Sequence, residues 1–206
     1  MILSALLWTG AGALAMIIIA PFFEWALHRY LMHRRVRWFP YPFDTHARVH
    51  HQIFKADKSY HLQEKKDAAE IPMAWWNGVV LVTLSCVPFA IVAFALSAWS
   101  QSAWWLVGGG FIVSGGYYAT YEYIHWCMHL PKKRRIERSG IFFRVNGHHL
   151  LHHRYMGTNF NVVLPLADLC LGTLLLRSKV SFVQAEGDSV PNVQPAGEST
   201  GAGETG

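Results

Sequence analysis

His125-Trp-Cys-Met-His129 and, past a basic linker, Gly147-His148-His149-Leu-Leu-His152-His153 form the stretch around which the chain is organised. It has an earlier counterpart in His28 and His33, followed by His46 and the doublet His50-His51. These four boxes hold eleven of the chain's twelve histidines, at spacings H-x4-H, H-x3-H-H, H-x3-H and H-x2/3-H-H. Two histidines four apart on a helix share a face, so both imidazoles can reach one ion. A single histidine is more often a hydrogen-bonded structural residue, but that role does not demand a doublet preceded by a third histidine, twice over. The boxes point to metal. They offer more nitrogens than one tetrahedral zinc can use, and about ten imidazoles suit a pair of ions with room for an exogenous ligand. Imidazole serves Fe, Zn, Cu and Ni alike, so ligand type does not choose among them.

Composition places the boxes at a membrane. Of 206 residues, 52% are hydrophobic and 15% charged, against about 25% charged in ordinary soluble domains. Residues 1–23 and 71–121 carry no charge, and each run is long enough for one or more spans of about 20 residues. No Lys or Arg precedes the first apolar run, so it reads as a membrane helix and not as a signal peptide. The net charge of +5 sits in two blocks, nine Lys/Arg from Arg29 to Lys66 and seven from Lys132 to Arg154. None lies between Ser97 and Ala103 or at the N-terminal end. That asymmetry predicts cytoplasmic basic blocks and an N-terminus outside, and it favours topology and headgroup contacts over nucleic-acid binding. Cys86, Cys127 and Cys170 lack C-x-x-C spacing and read as packing residues.

In chain order, 2–27 predicts a first membrane helix, with Pro21 expected to kink it. Glu24 and His28 share a face, whereas His33 sits about 140° beyond His28 and converges only if the helix bends or tightens. Asp44 or Thr45 is expected to cap a short helix carrying His46, His50 and His51. Residues 71–97 and 104–124 predict a hairpin of two spans that returns the chain to the cytoplasm at His125. His148–His153 reads as a short helix, and 162–176 as a re-entrant or surface-lying segment interrupted by Pro165 and Asp168. The fold class expected is therefore an all-α integral membrane bundle of about three spans over residues 1–178, with a histidine-rich helical cap on the cytoplasmic side. Residues 179–206, rich in Gly, Ser, Pro and acid, are expected to be a disordered tail.

The boxes, their order around a membrane hairpin, and the later segment Asn159-Phe160-Asn161-Val-Val-Leu-Pro-Leu-Ala-Asp168-Leu-Cys-Leu-Gly172-Thr173 resemble the fatty acid hydroxylase / sterol desaturase superfamily. The resemblance covers roughly residues 15–177. It implies a non-haem di-iron centre that uses O2 to hydroxylate or desaturate a lipid, with zinc able to substitute on overexpression. It implies ligand roles for His28, His33, His46, His50, His51, His125, His129, His149, His152 and His153. His148 is the alternative to His149: the family's H-x-x-H-H selects His149, while mirroring the spacing of His46–His51 selects His148. Glu24, Glu122 and Asp168 are candidates for carboxylates that orient imidazole N–H groups, and His61 lies outside every box.

No nucleotide-binding glycine motif, iron–sulfur cysteine set or fused haem domain is visible, so a separate ferredoxin- or cytochrome-type electron donor is expected on the basic face. A zinc hydrolase would need three ligands and a general base, and H-E-x-x-H is absent. A metal transporter would carry its ligands near the midplane of its spans, whereas these boxes lie at the span ends. The sequence thus predicts a membrane-bound lipid oxygenase, with a bacterial inner membrane as the expected location.

Overall fold

The two uncharged runs become long helices because nothing polar interrupts them. In the computed structural model, which describes residues 1–176, α1 spans Ile2–Leu27 and ends in a π-helical turn over His28–Met32. Pro21 lies inside α1 without ending it, and its carbonyl accepts a hydrogen bond from Asn161 Nδ2 at 2.7 Å. Next come α2 (Tyr41–Thr45), a second π-helical turn (His46–His50) and α3 (His51–Ile53). The long helices α4 (Trp75–Leu96) and α5 (Trp105–His129) form the expected hairpin. They are followed by α6 (Gly140–Arg154) and the short α7 (Leu166–Cys170). Among the described residues the one strand-type pairing is an isolated bridge between Val36 and Phe39, so the described chain is all-helical.

Two helical stretches, Ile2–Met32 and Lys65–Leu96, are long and apolar enough to cross a membrane. The third expected span falls on α5, which is equally long but diluted by five glycines and four tyrosines. Large apolar side chains cover the outside of the long helices, among them Leu6, Leu7, Leu14 and Ile18 on α1 and Val79, Val87, Ile91 and Phe94 on α4. Water does not tolerate so wide an apolar surface, and a bilayer does.

Helix α1 packs along α5, and α5 against α4. The α1–α5 contact is backbone on backbone. A Cβ added at Gly12 would sit 2.0 Å from the Leu106 carbonyl oxygen, and one at Gly109 would sit 2.0 Å from that of Thr9. Small residues allow this approach in apolar surroundings. Met16, Ala20, Cys86, Phe89 and Leu106 fill the core among the three helices.

Several local expectations are corrected. Neither Asp44 nor Thr45 caps the second box, because the helix begins earlier, at Tyr41. Thr45 bonds back to the Tyr41 carbonyl and Asp44 pairs with Arg48. The last box belongs to a helix of 15 residues, started by Ser139, whose hydroxyl accepts from the Phe142 N–H at 3.1 Å. Segment 159–173 wraps the end of α1, where Trp25 Nε1–H donates to Thr173 Oγ1 at 2.8 Å. Residues Met1–Leu174 form one compact unit; the tail expected over 179–206 lies outside the described residues.

Candidate metal centre

Ten histidines converge into two groups of five. Cluster A is His28, His33, His46, His51 and His152; cluster B is His50, His125, His129, His149 and His153. Within each group one nitrogen per ring lies within 4.8 Å of all the others. These are the ten residues to which the resemblance implies ligand roles. His148 joins neither cluster and instead pairs through Nε2 with Asp168 Oδ2 at 3.1 Å. His61 also stands apart, with Nδ1 on the Met128 carbonyl at 3.0 Å.

The backbone explains the membership. His125/His129 and His149/His153 are i,i+4 pairs on regular α-helix. His28/His33 and His46/His51 are five apart, which an α-helix would splay. There the helix widens, and the N–H of the later residue reaches the carbonyl of the earlier one: His33 N to His28 O at 3.1 Å, and His51 N to His46 O. The i→i+5 bond of a π turn brings residues five apart onto one face, and such turns recur at functional sites. The helix loosens where tightening or bending was expected. Adjacent residues on a helix do not face one another, so each doublet is split: His50 goes to B and His51 to A, His152 to A and His153 to B.

Most of the rings are locked by main-chain carbonyls. His28 Nδ1 donates to Phe160 O, His50 Nδ1 to Glu70 O, His129 Nδ1 to Tyr60 O, His152 Nδ1 to Thr158 O and His153 Nδ1 to Phe54 O, at 2.5–2.9 Å. His125 pairs with the Ile71 backbone. A neutral imidazole carries one N–H, so a ring that donates from Nδ1 turns a bare lone pair on Nε2 inward. His152 Nε2 faces His33 Nε2 at 3.0 Å and His51 Nε2 at 3.2 Å. In cluster B, His149 Nε2 faces those of His153 at 3.0 Å and His129 at 3.3 Å. Buried and without a hydrogen-bond partner are His50 Nε2 and His125 Nε2, together with His51 Nδ1 and His149 Nδ1. Converging lone pairs and orphaned buried nitrogens form a donor set that fits a cation in each cluster.

Burial enforces the neutral form. It lowers His50 to about 4, and with the neighbouring His152 and His50 it lowers His33 to about 3. Burial and adjacent imidazoles hold His149 and His153 well below the ordinary range. Neutral imidazole is the form that ligates metal.

None of the three carboxylates hydrogen-bonds a clustered ring. Glu24 accepts from the Val162 N–H (2.6 Å), the Tyr117 hydroxyl (2.5 Å) and Asn161 Nδ2 (3.1 Å), and so ties α1 to the loop after α6. Glu122 accepts from the Met73 N–H at 3.2 Å. Asp168 accepts from the N–H groups of Phe160 (2.9 Å) and Asn161 (2.7 Å) and from the Thr173 hydroxyl (2.6 Å). The one imidazole they hold, His148, lies outside both clusters. Carbonyls orient the clustered rings, and a carbonyl leaves no side-chain signature in a sequence.

An apolar cavity of about 310 Å³ meets both clusters, with His46, His50 and His125 in its wall. Its other walls include Leu31, Ile71, Trp76, Leu81 and Leu84. Val80 and Leu84 line it while remaining 42% and 51% exposed, so its rim belongs to the apolar outer surface of α4.

Fold and site together define an apolar-helical protein built around a doubled histidine centre. The fatty acid hydroxylase family model matches residues 13–173, and the chain belongs to that family, within the fatty acid hydroxylase / sterol desaturase superfamily. No curated protein and no solved structure matches it. The family and the two apolar helices place the protein at a membrane.

Proposed function

We infer that the protein is a membrane-bound, non-haem di-iron oxygenase that hydroxylates, or desaturates, a C–H bond of a lipid chain with O2 and two electrons. The observation that carries this reading is the opening of both five-histidine clusters onto one apolar cavity whose rim reaches the outer face of α4. His28, His33, His46, His51 and His152 would hold one iron, and His50, His125, His129, His149 and His153 the other. The bound pair would supply the activation of dioxygen that an unactivated C–H bond requires.

The chain's own contribution is positioning and exclusion of water. Leu31, Leu81, Leu84 and Trp76 would guide an acyl or isoprenoid chain in from the bilayer and hold one carbon beside His46, His50 and His125. Carbonyl-locked rings keep the ligand nitrogens aimed before metal arrives. The basic blocks orient the boxes to the cytoplasm. Exposed Lys132, Lys133, Arg135 and Arg138 would receive an acidic ferredoxin- or cytochrome-type donor.

The test is iron content together with turnover. Protein purified in detergent and reconstituted with ferrous iron is expected to bind two irons as an exchange-coupled pair in its Mössbauer spectrum. Given O2 and a reducing system, it should add 18O from 18O2 to a long-chain lipid, or remove two hydrogens from it, as read by mass spectrometry. Stoichiometric binding of a single ion, or metal binding without lipid-dependent O2 uptake, overturns the reading.

A further inference from the structure

Cluster A reaches a solvent-lined cleft through His33, and no member of cluster B lines that cleft. His33 is half-buried, and it lines a cleft with Phe43, Ala47, Arg48, Gln52 and Met156. The cleft measures about 520 Å³. Arg48, Gln52 and Met156 lie exposed at its walls. In cluster B, His50 and His125 face the apolar cavity on the side of α4. A hydrated divalent ion, or a charged chelator pursuing one, travels through water and not along leucines.

The clusters also differ in how firmly their rings are held. In B, the Nδ1 atoms of His50, His129 and His153 are locked on carbonyls and His125 pairs with the Ile71 backbone, leaving His149 alone free. In A, only His28 and His152 are so locked. His33 ends the first π turn, and among the described residues the one hydrogen-bond-range contact of its ring is His152. Partners that orient an imidazole typically change metal affinity by about 10–100-fold.

We propose that the two ions exchange at different rates: cluster A takes up and releases its metal through the His33–Arg48–Met156 cleft, with His33 as the swinging ligand, while cluster B holds its metal behind locked rings. This inference rests on the metal-pair reading above. It makes cluster A the site that is loaded last, emptied first and filled by the wrong ion when iron is scarce.

The experiment uses full-length protein in detergent, reconstituted with zinc so that no redox change intrudes, and challenged with excess EDTA. Metal remaining per chain is followed by mass spectrometry after rapid desalting. The expected result is biphasic release, one ion leaving at least about tenfold faster than the other, the lower end of what loss of an imidazole's partner costs. Ala47→Trp and Met156→Trp, each at the mouth of the cleft, are expected to slow only the fast phase with two ions still bound; Met156 is 46% exposed, so its replacement keeps the test alive if Ala47→Trp fails to fold. His33→Ala is expected to abolish the fast-phase ion. Release of both ions in one phase, or a fast phase unchanged in folded variants of the cleft, overturns the inference and leaves the metal pair standing. Failure to bind zinc stoichiometrically removes the metal-pair reading, and this inference with it.

Discussion

Clusters A and B are assembled from the same parts in opposite proportion. A takes four rings from the first half of the chain and borrows His152 from the second; B takes four from the second half and borrows His50 from the first. The borrowing follows from the doublets, whose neighbouring rings diverge on the helix and cannot serve one ion. Where the clusters differ is the backbone beneath them. The four rings that B takes from the second half stand on unbroken α-helix, whereas the four that A takes from the first stand at two π turns, each pair with one residue more between its histidines. H-x4-H and H-x3-H are thus the same device on two helix types. Neither half can complete a cluster without the other.

The largest effect that would break this comparison is expected at its one contested position. His149→Ala should cost cluster B its ion and lower turnover by more than about 100-fold, beyond the usual cost of disturbing a ligand's partner. His148→Ala should keep both ions and most of the activity. Metal per chain and turnover, measured on both variants, decide between the adjacent histidines, and equal losses would dissolve the distinction.

The borrowed rings come next. His50→Ala should weaken the ion held chiefly by the second half, and His152→Ala the ion held chiefly by the first. Anaerobic iron titrations followed by Mössbauer spectroscopy would show which of the two components is lost. Loss of the same component in both variants would mean that the clusters are not interleaved.

A smaller and more selective effect is expected from Asp168→Ala. It strips the acceptor from the Phe160 and Asn161 N–H groups and from Thr173, at about 1–3 kcal/mol for each buried group left unpaired. Because the Phe160 carbonyl locks His28, cluster A should lose affinity before cluster B does. Thermal unfolding in detergent, paired with the metal titration, reads both.

The smallest effect is that of pH on the metal-free protein. His33 and His50 are held at about 3 and about 4 when folded, against an ordinary 6.5. Between those values the unfolded chain binds protons that the folded chain refuses, so stability rises with pH through this window and falls as pH drops below 6.5. Thermal melts of the apoprotein from pH 7 down to pH 4 should show a declining midpoint; a flat profile would mean that these rings are not buried as neutral groups.

Much of this was readable beforehand. The uncharged run 71–121 foretells α4 and α5 closely, since a long apolar stretch has few alternatives. Spacing foretells that His125 meets His129 and His149 meets His153, but His46 and His50, also four apart, go to different clusters. What stayed hidden was main-chain behaviour. The spacing of His46 to His51 could be mirrored onto His148 only if both halves shared a helix type, and the π turns of the first half break that mirror. The carbonyls of Phe54, Tyr60, Glu70 and Phe160 hold rings twenty or more residues away in sequence, and any residue at those positions carries the same oxygen. Glu24 and Asp168 act on the rings indirectly, by organising the loop that presents the Phe160 carbonyl. Their influence is one bond removed from the rings.

The meeting of Gly12 with Leu106, and of Gly109 with Thr9, makes α1 and α5 a pair of levers with their pivot far from the chemistry. Sixteen residues separate Gly12 from His28 and sixteen separate Gly109 from His125, about 24 Å along each helix at 1.5 Å per residue. A tilt of about 2.5° at the pivot therefore moves an imidazole by about 1 Å at the other end. A single methyl group near the far end of the helices thus acts on the spacing of the two clusters, and a mismatch with bilayer thickness, which helices accommodate by tilting, acts through the same pivot.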